Sequence, residues 1–262
     1  MAMSSVPDHA ESVAVDACLR GGRYLRAAFR DGETNADHSA TDVKSSADVE
    51  SEARMLDVLK DAFPGHTIDA EESGRHAGDD RYRWIVDPLD GTNNFEAGLP
   101  SFAAAVTLLV DGEAKLGVVH VPTTDELYVA RRGVGLRYND TVVDGTEATA
   151  LTPESATVMS VIGHGVKEDA AASAVSETIN RGIETACKRR LESWSPTVHW
   201  GLLARGRLDG AVCYRPDAEE QALGELFVEA VGHETAAGEE WFVAARTDEL
   251  RERLVAVATD AV

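Results

Sequence analysis

The chain has 262 residues, 44% hydrophobic and 27% charged, with 46 acidic against 25 basic residues and a formal net charge of −21. That apolar content excludes a disordered chain, and three scattered cysteines (Cys18, Cys187, Cys213) exclude a disulfide-stapled miniprotein. No apolar run approaches the roughly 20 residues of a membrane helix, and so dense an acidic surface repels nucleic acid and anionic lipid.

Residues 1–12, MAMSSVPDHAES, carry neither a basic start nor an apolar stretch. No secretion signal is expected, and the protein reads as cytoplasmic. Residues 11–30 have helical period, with Val13, Ala17, Leu19, Tyr24, Leu25 and Phe29 near one face, and Asp31-Gly32 ends the helix. Residues 33–41 are polar and read as a loop. A second helix follows, SSADVESEARMLDVLKDAFPG, with Val49, Ala53, Leu56, Leu59 and Phe63 at three- and four-residue steps. Asp48 and Glu52 share a face at i and i+4. Two acids so placed cost stability unless something positive lies between them; on spacing alone a solvated acidic face is equally compatible.

After HTIDAEESG, the run Trp84-Ile85-Val86 ends in Asp87-Pro88, the pattern of a buried strand that delivers an acid at its C-terminal end. Residues 102–110 form the longest apolar run and read as a buried strand. Asp111-Gly112 and Asn139-Asp140 are turn signals within an antiparallel meander. The pattern changes near residue 145. Beyond it come a strand in ATVMSVIG, a helix over about 167–187, a helix, turn and strand in VHWGLLARGRLDGAVCY, a helix over 218–231, and a closing strand and helix. Two halves, 1–145 and 146–262, are expected. The acids are spread from end to end, so most belong to a surface adapted to high salt rather than to one site.

The strongest local signal is Asp87-Pro88-Leu89-Asp90-Gly91-Thr92. Its two carboxylates lie three residues apart, around a proline that fixes a turn and before a glycine that permits it. Brought to one side, they suit hard cations such as Mg²⁺. A Gly-Thr pair opening the next segment can offer N–H groups to phosphate. Glu71-Glu72 adds acids upstream. The spacing is wrong for an EF-hand, and the cysteines and histidines show no zinc spacing.

DPLDGTNNFEAGLP resembles the signature of the inositol monophosphatase family, Mg²⁺-dependent, lithium-sensitive phosphatases whose superfamily includes archaeal-type fructose-1,6-bisphosphatases and 3′-phosphoadenosine 5′-phosphate phosphatases. KSSADVESEARMLDVLKDAFPGHTIDAEES resembles the region before that signature, and LLARGRLDGAV a later helix and strand. The resemblance implies an α+β fold, a layered αβαβα sandwich with the active site between the two halves. It implies hydrolysis of a small phosphate monoester by metal-activated water, with two or three Mg²⁺ per site, in a homodimer.

Residue by residue, the resemblance makes Glu71, Asp87, Asp90 and the Leu89 carbonyl metal ligands, with Asp87 bridging two ions. Gly91 and Thr92 donate N–H groups to the phosphate, beside Asp90. The Thr92 hydroxyl and Asp48 polarise the attacking water together with Glu71, and Ser45 stands where the family usually has threonine. Where the family carries Trp-Asp, this chain has Glu219-Glu220, so Glu220 takes the second-metal position and Asp217 is its rival. The family's Gly-Ser-Ala stretch, which lines the substrate pocket, appears as Trp194-Ser195-Pro196, which makes Ser195 a substrate-binding candidate. Cys213 stands where a substrate-binding acid is often found. Inositol phosphates, fructose 1,6-bisphosphate and 3′-phosphoadenosine 5′-phosphate all remain open as substrates. The altered C-terminal motif leaves a second function open, a catalytically weakened member that binds metal or a phosphorylated ligand in a regulatory role.

Overall fold

The computed structural model describes residues 6–32, 36–38, 43–144, 151–192 and 194–262, and the chain divides into two compact units, Met1–Val142 and Val143–Val262. In the first unit, α1 (Ala10–Asp31) ends at Gly32, whose φ of 69° is left-handed, and the Gly32 N–H donates to the Ala28 carbonyl. The buried stripe of α1 consists mostly of small residues: Ala10, Ala14, Ala17, Cys18, Gly21, Gly22 and Ala28, with Leu25. Val13, Leu19, Tyr24 and Phe29, expected on the core face, are only partly buried. Small size sets the packing distance. A Cβ on Gly21 would stand 2.7 Å from Ser51 Oγ and 2.8 Å from Met55 Sδ on α2 (Ser46–Ala62).

The buried face of α2 also differs from the expected one. Val49 is 56% exposed and Ala53 is exposed, whereas Asp48, Ser51, Glu52 and Met55 are buried beside Leu56 and Leu59. Relative to the expected face, the buried one is rotated by one residue at its N-terminal end, about 100°. A solvated acidic face is therefore overturned, since Asp48 and Glu52 are each 3% exposed.

The segment read as a loop holds β1 (Ala36–His38), paired antiparallel with β2 (Val43–Ser45); residues 33–35 and 39–42 lie outside the described residues. Next come β3 (His66–Ala70), β4 (Gly74–His76), β5 (Asp79–Asp90), the short helix α3 (Thr92–Glu96), β6 (Ala103–Val110), β7 (Glu113–Val121), β8 (Glu126–Arg131), β9 (Gly135–Tyr138) and β10 (Thr141–Val142). These eight strands make one sheet in the order β10-β9-β8-β7-β6-β5-β3-β4. All neighbours are antiparallel except β3 and β5. Every residue of β6 is buried. Both expected hairpin turns form, with φ of 51° and 82° at Asp111-Gly112 and 45° and 63° at Asn139-Asp140, the double left-handed pattern such two-residue loops need.

The second unit runs β11 (Thr157–Ile162), a 3₁₀ turn over His164–Glu168, α4 (Ala170–Ala186), β12 (Arg189–Glu192), α5 (Pro196–Ala204), β13 (Gly210–Tyr214), α6 (Ala218–Ala230), β14 (Glu234–Ala237), β15 (Trp241–Ala245) and α7 (Asp248–Ala261). The helix expected from about Lys167 starts at Ala170 because Asp169 caps it, accepting from the Ala171 and Ala172 N–H groups at 2.8 and 3.2 Å. The sheet order is β12-β11-β13-β15-β14, with β12, β11 and β13 parallel. Val243 and Ala245 pack with Ile179, Ile183, Leu250 and Leu254 of α4 and α7. Phe242 points to the opposite face and meets Trp200 of α5 edge-on at 6.3 Å. Each unit thus layers helices on a mixed sheet, which is the α+β class. Among the described residues no helix is long and apolar enough to cross a membrane.

Candidate active site

In the first unit the site grows from two adjacent strands. β3 and β5 are the parallel pair, in register at Ala70 and Val86. Glu71 directly follows β3 and Asp87 follows Val86 within β5, and the Glu71 N–H donates to the Val86 carbonyl at 3.3 Å. Two acids therefore stand side by side where the parallel pairing of β3 and β5 ends, on the side where open sheets bind ligands.

Asp90 joins Asp87 through a bulge. Three residues separate the two acids, and in a regular strand an odd spacing would send them to opposite faces. Asp87 pairs with Ala105 and Asp90 with Ala103, so β5 spends one more residue than β6 over this interval. The extra residue resets the alternation and returns both acids to one face. The sequence suggested a proline turn here. Instead the strand runs through Pro88 to Asp90, and the chain turns at Gly91, where φ is 91°. The Leu89 N–H donates to Asp87 Oδ1 at 3.2 Å, and the Thr92 hydroxyl donates to the Leu89 carbonyl at 3.0 Å. That carbonyl keeps a second lone pair.

α2 organises these groups from one face, through residues 48, 51 and 52. Asp48 closes a capping box, accepting the Ser45 N–H at 2.8 Å, while Ser45 Oγ accepts the Ala47 N–H at 3.2 Å. Its other oxygen lies 3.5 Å from Thr92 Oγ1. The Ser51 hydroxyl, fully buried, donates to the Pro88 carbonyl at 2.9 Å and so ties the bulge to the helix. Glu52 accepts the N–H groups of Glu72 at 2.7 Å and Ser73 at 2.9 Å, which fixes the turn after Glu71. Among the described residues, a pair of backbone dipoles compensates Glu52. Ser51 and Glu52 escaped assignment from sequence; the i, i+4 pairing of Asp48 and Glu52 was the available signal.

The electrostatics of this cluster favour a cation. Burial pushes the Asp48 carboxyl up to about 8, and the charges of Glu71, Glu72 and Glu96 push in the same direction against the Ser45 N–H. Carboxylates that resist ionising together are stabilised by a positive ion among them. Oxygen donors of this kind fit Mg²⁺.

The second unit repeats the strand-end device. β11 and β13 are parallel and in register through Ile162 and Tyr214. Gly163 leaves one strand and Arg215 the other, so close that a Cβ on Gly163 would stand 1.9 Å from the Arg215 carbonyl oxygen. The residues that follow meet. His164 Nδ1 lies 2.9 Å from Asp217 Oδ2, and Glu220, one turn into α6, completes a group whose ligand atoms all lie within 4.8 Å of one another. Glu220 and Asp217 were alternatives from sequence; the fold brings both together and adds His164, which sequence reasoning missed. Its partnership depends on strand pairing across some fifty residues, which no local pattern reveals.

Ser195 is fully buried at the start of α5, and its carbonyl oxygen lies 2.8 Å from His199 Nδ1. Cys213 is fully buried in β13, and burial, with the nearby charges of Glu220 and Glu225, raises its thiol pKa so that it stays neutral.

Residues 7–254 match the model of the inositol monophosphatase family. The "Nus factor SuhB" of Salmonella typhimurium (strain LT2) is 30% identical over 226 residues, covering 84% of this chain and 82% of the relative. The extragenic suppressor protein suhB from Bartonella henselae superposes with a TM-score of 0.85 at 25% identity, over 96% of this chain and 98% of that one. Inositol monophosphatase from Anabaena (Nostoc) sp. PCC 7120 superposes with a TM-score of 0.79 at 23% identity, over 95% of each chain.

Proposed function

Because the chain belongs to the inositol monophosphatase family, we infer that it hydrolyses a small phosphate monoester, an inositol monophosphate or a sugar phosphate such as fructose 1,6-bisphosphate, with Mg²⁺. The observation that carries this reading is the alignment of Glu71 and Asp87 at adjacent parallel strand ends, with Asp90 returned to the face of Asp87 by the bulge. In the first unit Glu71, Asp87, Asp90 and the Leu89 carbonyl would hold the ions nearest the reaction; in the second, Glu220 would be a metal ligand. Bound divalent cations supply Lewis acidity, which lowers the pKa of water and offsets phosphoryl charge.

The chain's own residues do the rest. Asp48 and Thr92, whose oxygens lie 3.5 Å apart, accept and relay the proton of the attacking water. The N–H groups of Gly91 and Thr92 orient the phosphate. Ser51 and Glu52 hold Pro88 and the Glu71 turn in place, so the acids need not reorganise when substrate arrives.

The name of the SuhB relatives, Nus factor, supports a second reading: a weakened phosphatase that binds metal or a phosphorylated ligand in a regulatory role. The replacement of Trp-Asp by Glu219-Glu220 points the same way. A phosphate-release screen over inositol phosphates, fructose 1,6-bisphosphate and 3′-phosphoadenosine 5′-phosphate, with Mg²⁺ varied at low and high salt, separates the two. Mg²⁺-dependent turnover of any of these supports catalysis. Release no faster than in buffer, at every Mg²⁺ and salt concentration, leaves the regulatory reading.

A further inference from the structure

The geometry points to a divalent transition-metal site in the second unit, held by His164, Asp217 and Glu220, which takes Co²⁺, Mn²⁺ or Zn²⁺ in preference to Mg²⁺. The inference rests on the reading of Glu220 as a metal ligand and adds which residues complete the site and which metal class it selects.

The donor set decides the selectivity. Mg²⁺ prefers octahedral oxygen and keeps several waters. An imidazole nitrogen beside two carboxylates suits first-row transition ions, whose affinity for mixed nitrogen and oxygen sites rises from Mn²⁺ toward Cu²⁺. Here one nitrogen and two carboxylates lie within 4.8 Å of one another, close enough to share one ion. They come from two elements that must be brought together. His164 opens the 3₁₀ turn after β11, and Asp217 and Glu220 sit at the cap and first turn of α6.

Arg215, at the end of β13, pairs with acids outside this group, Glu240 at 2.5 Å and Asp169 at 3.6 Å. Lys167, on the same turn as His164, lies 4.0 Å from Glu192. His164 Nδ1, 2.9 Å from Asp217 Oδ2, already faces that carboxylate, and a metal ion would take the place between them. His164 is 75% and Asp217 45% exposed, so solvent can reach the site and the ion can enter and complete its coordination with water.

The test is a Co²⁺ titration of the full chain in excess Mg²⁺, followed by visible absorption, which reports the ligands around cobalt. The wild type should bind one Co²⁺ that Mg²⁺ does not displace. His164→Ala and Asp217→Asn should each weaken that binding at least about tenfold. The exposed His164 permits alanine without loss of fold, which far-UV circular dichroism checks, and His76→Ala should leave the titration unchanged. Equal affinity and spectrum in wild type and His164→Ala would overturn the site, as would displacement of Co²⁺ by Mg²⁺. The two readings fail separately. Cobalt binding that depends on His164, in a protein that releases no phosphate, would sustain this site and sink the phosphatase. Phosphate release with cobalt binding indifferent to His164 would do the reverse.

Discussion

Glu52→Gln tests whether α2 builds the active site. The Glu52 carboxylate accepts two backbone N–H groups, from Glu72 at 2.7 Å and Ser73 at 2.9 Å. Glutamine keeps one acceptor oxygen and turns the other position into an N–H₂ that faces an N–H. One charge-assisted bond is lost, worth about 1.5–3 kcal/mol, and the surviving bond becomes a weaker neutral one. We expect a stability loss of about 2–3 kcal/mol for the metal-free protein. Urea unfolding, read by circular dichroism and tryptophan fluorescence, measures it. Glu50→Gln, on the exposed side of the same helix, removes a surface pair with Arg54 and should cost less than about 1 kcal/mol. Glu52 also fixes the turn that carries Glu71, so Glu52→Gln should raise the Mg²⁺ concentration needed for half-maximal phosphate release, whereas Glu50→Gln should not. Equal stability losses in the two variants, or an unchanged Mg²⁺ requirement in Glu52→Gln, would refute the reasoning.

Two further outcomes follow from charge and burial. With a net charge of −21, screening should relieve surface repulsion, so the melting temperature should be higher in molar KCl than in dilute buffer; an unchanged or lower value would remove the high-salt reading. His120 is 3% exposed, and its burial lowers the imidazole pKa against the opposing pull of Asp125. The unfolded chain therefore takes up a proton below about pH 6.5 before the folded chain does, and the stability contributed by neutral His120 is lost as pH falls through that range. Urea midpoints should show the wild type losing ground to a non-titrating His120→Gln as pH drops from about 7.5 to 5.5; a constant difference would count against a depressed pKa.

The elements most legible in the sequence carry explicit chemical punctuation. Asp111-Gly112 and Asn139-Asp140 announced their hairpins, because few other residues accept two successive left-handed φ values. The acids of the Asp87–Thr92 segment were visible because proline, glycine and carboxylates in that order have few other uses. The mechanism that aligns them was not visible, since a bulge is a relation between β5 and β6 rather than a property of either. The core face of α1 was placed in part: Ala17 and Leu25 are buried as expected, but hydrophobicity weights favour Val13 and Phe29, while close helix packing selects Gly21. On α2 and at its C-cap, Leu56, Leu59 and Phe63 are buried as expected, but the N-terminal part of the buried face carries Ser51 and Glu52, polar groups satisfied by partners distant in sequence. Short edge strands such as β4, β10, β12 and β14, of 3, 2, 4 and 4 residues, are too brief to show alternation.

The central claim is that Glu71, Asp87 and Asp90 hold the cations on which water attack depends. The most direct measurement is the Mg²⁺ dependence of phosphate release by wild type, Asp87→Asn and Asp90→Asn, on whichever monoester the wild type turns over. The account predicts that Asp87→Asn, which lacks a bridging charge, is nearly inactive at any Mg²⁺ concentration. Asp90→Asn should recover part of its activity as Mg²⁺ is raised. Wild-type turnover and Mg²⁺ requirement in Asp87→Asn would contradict it.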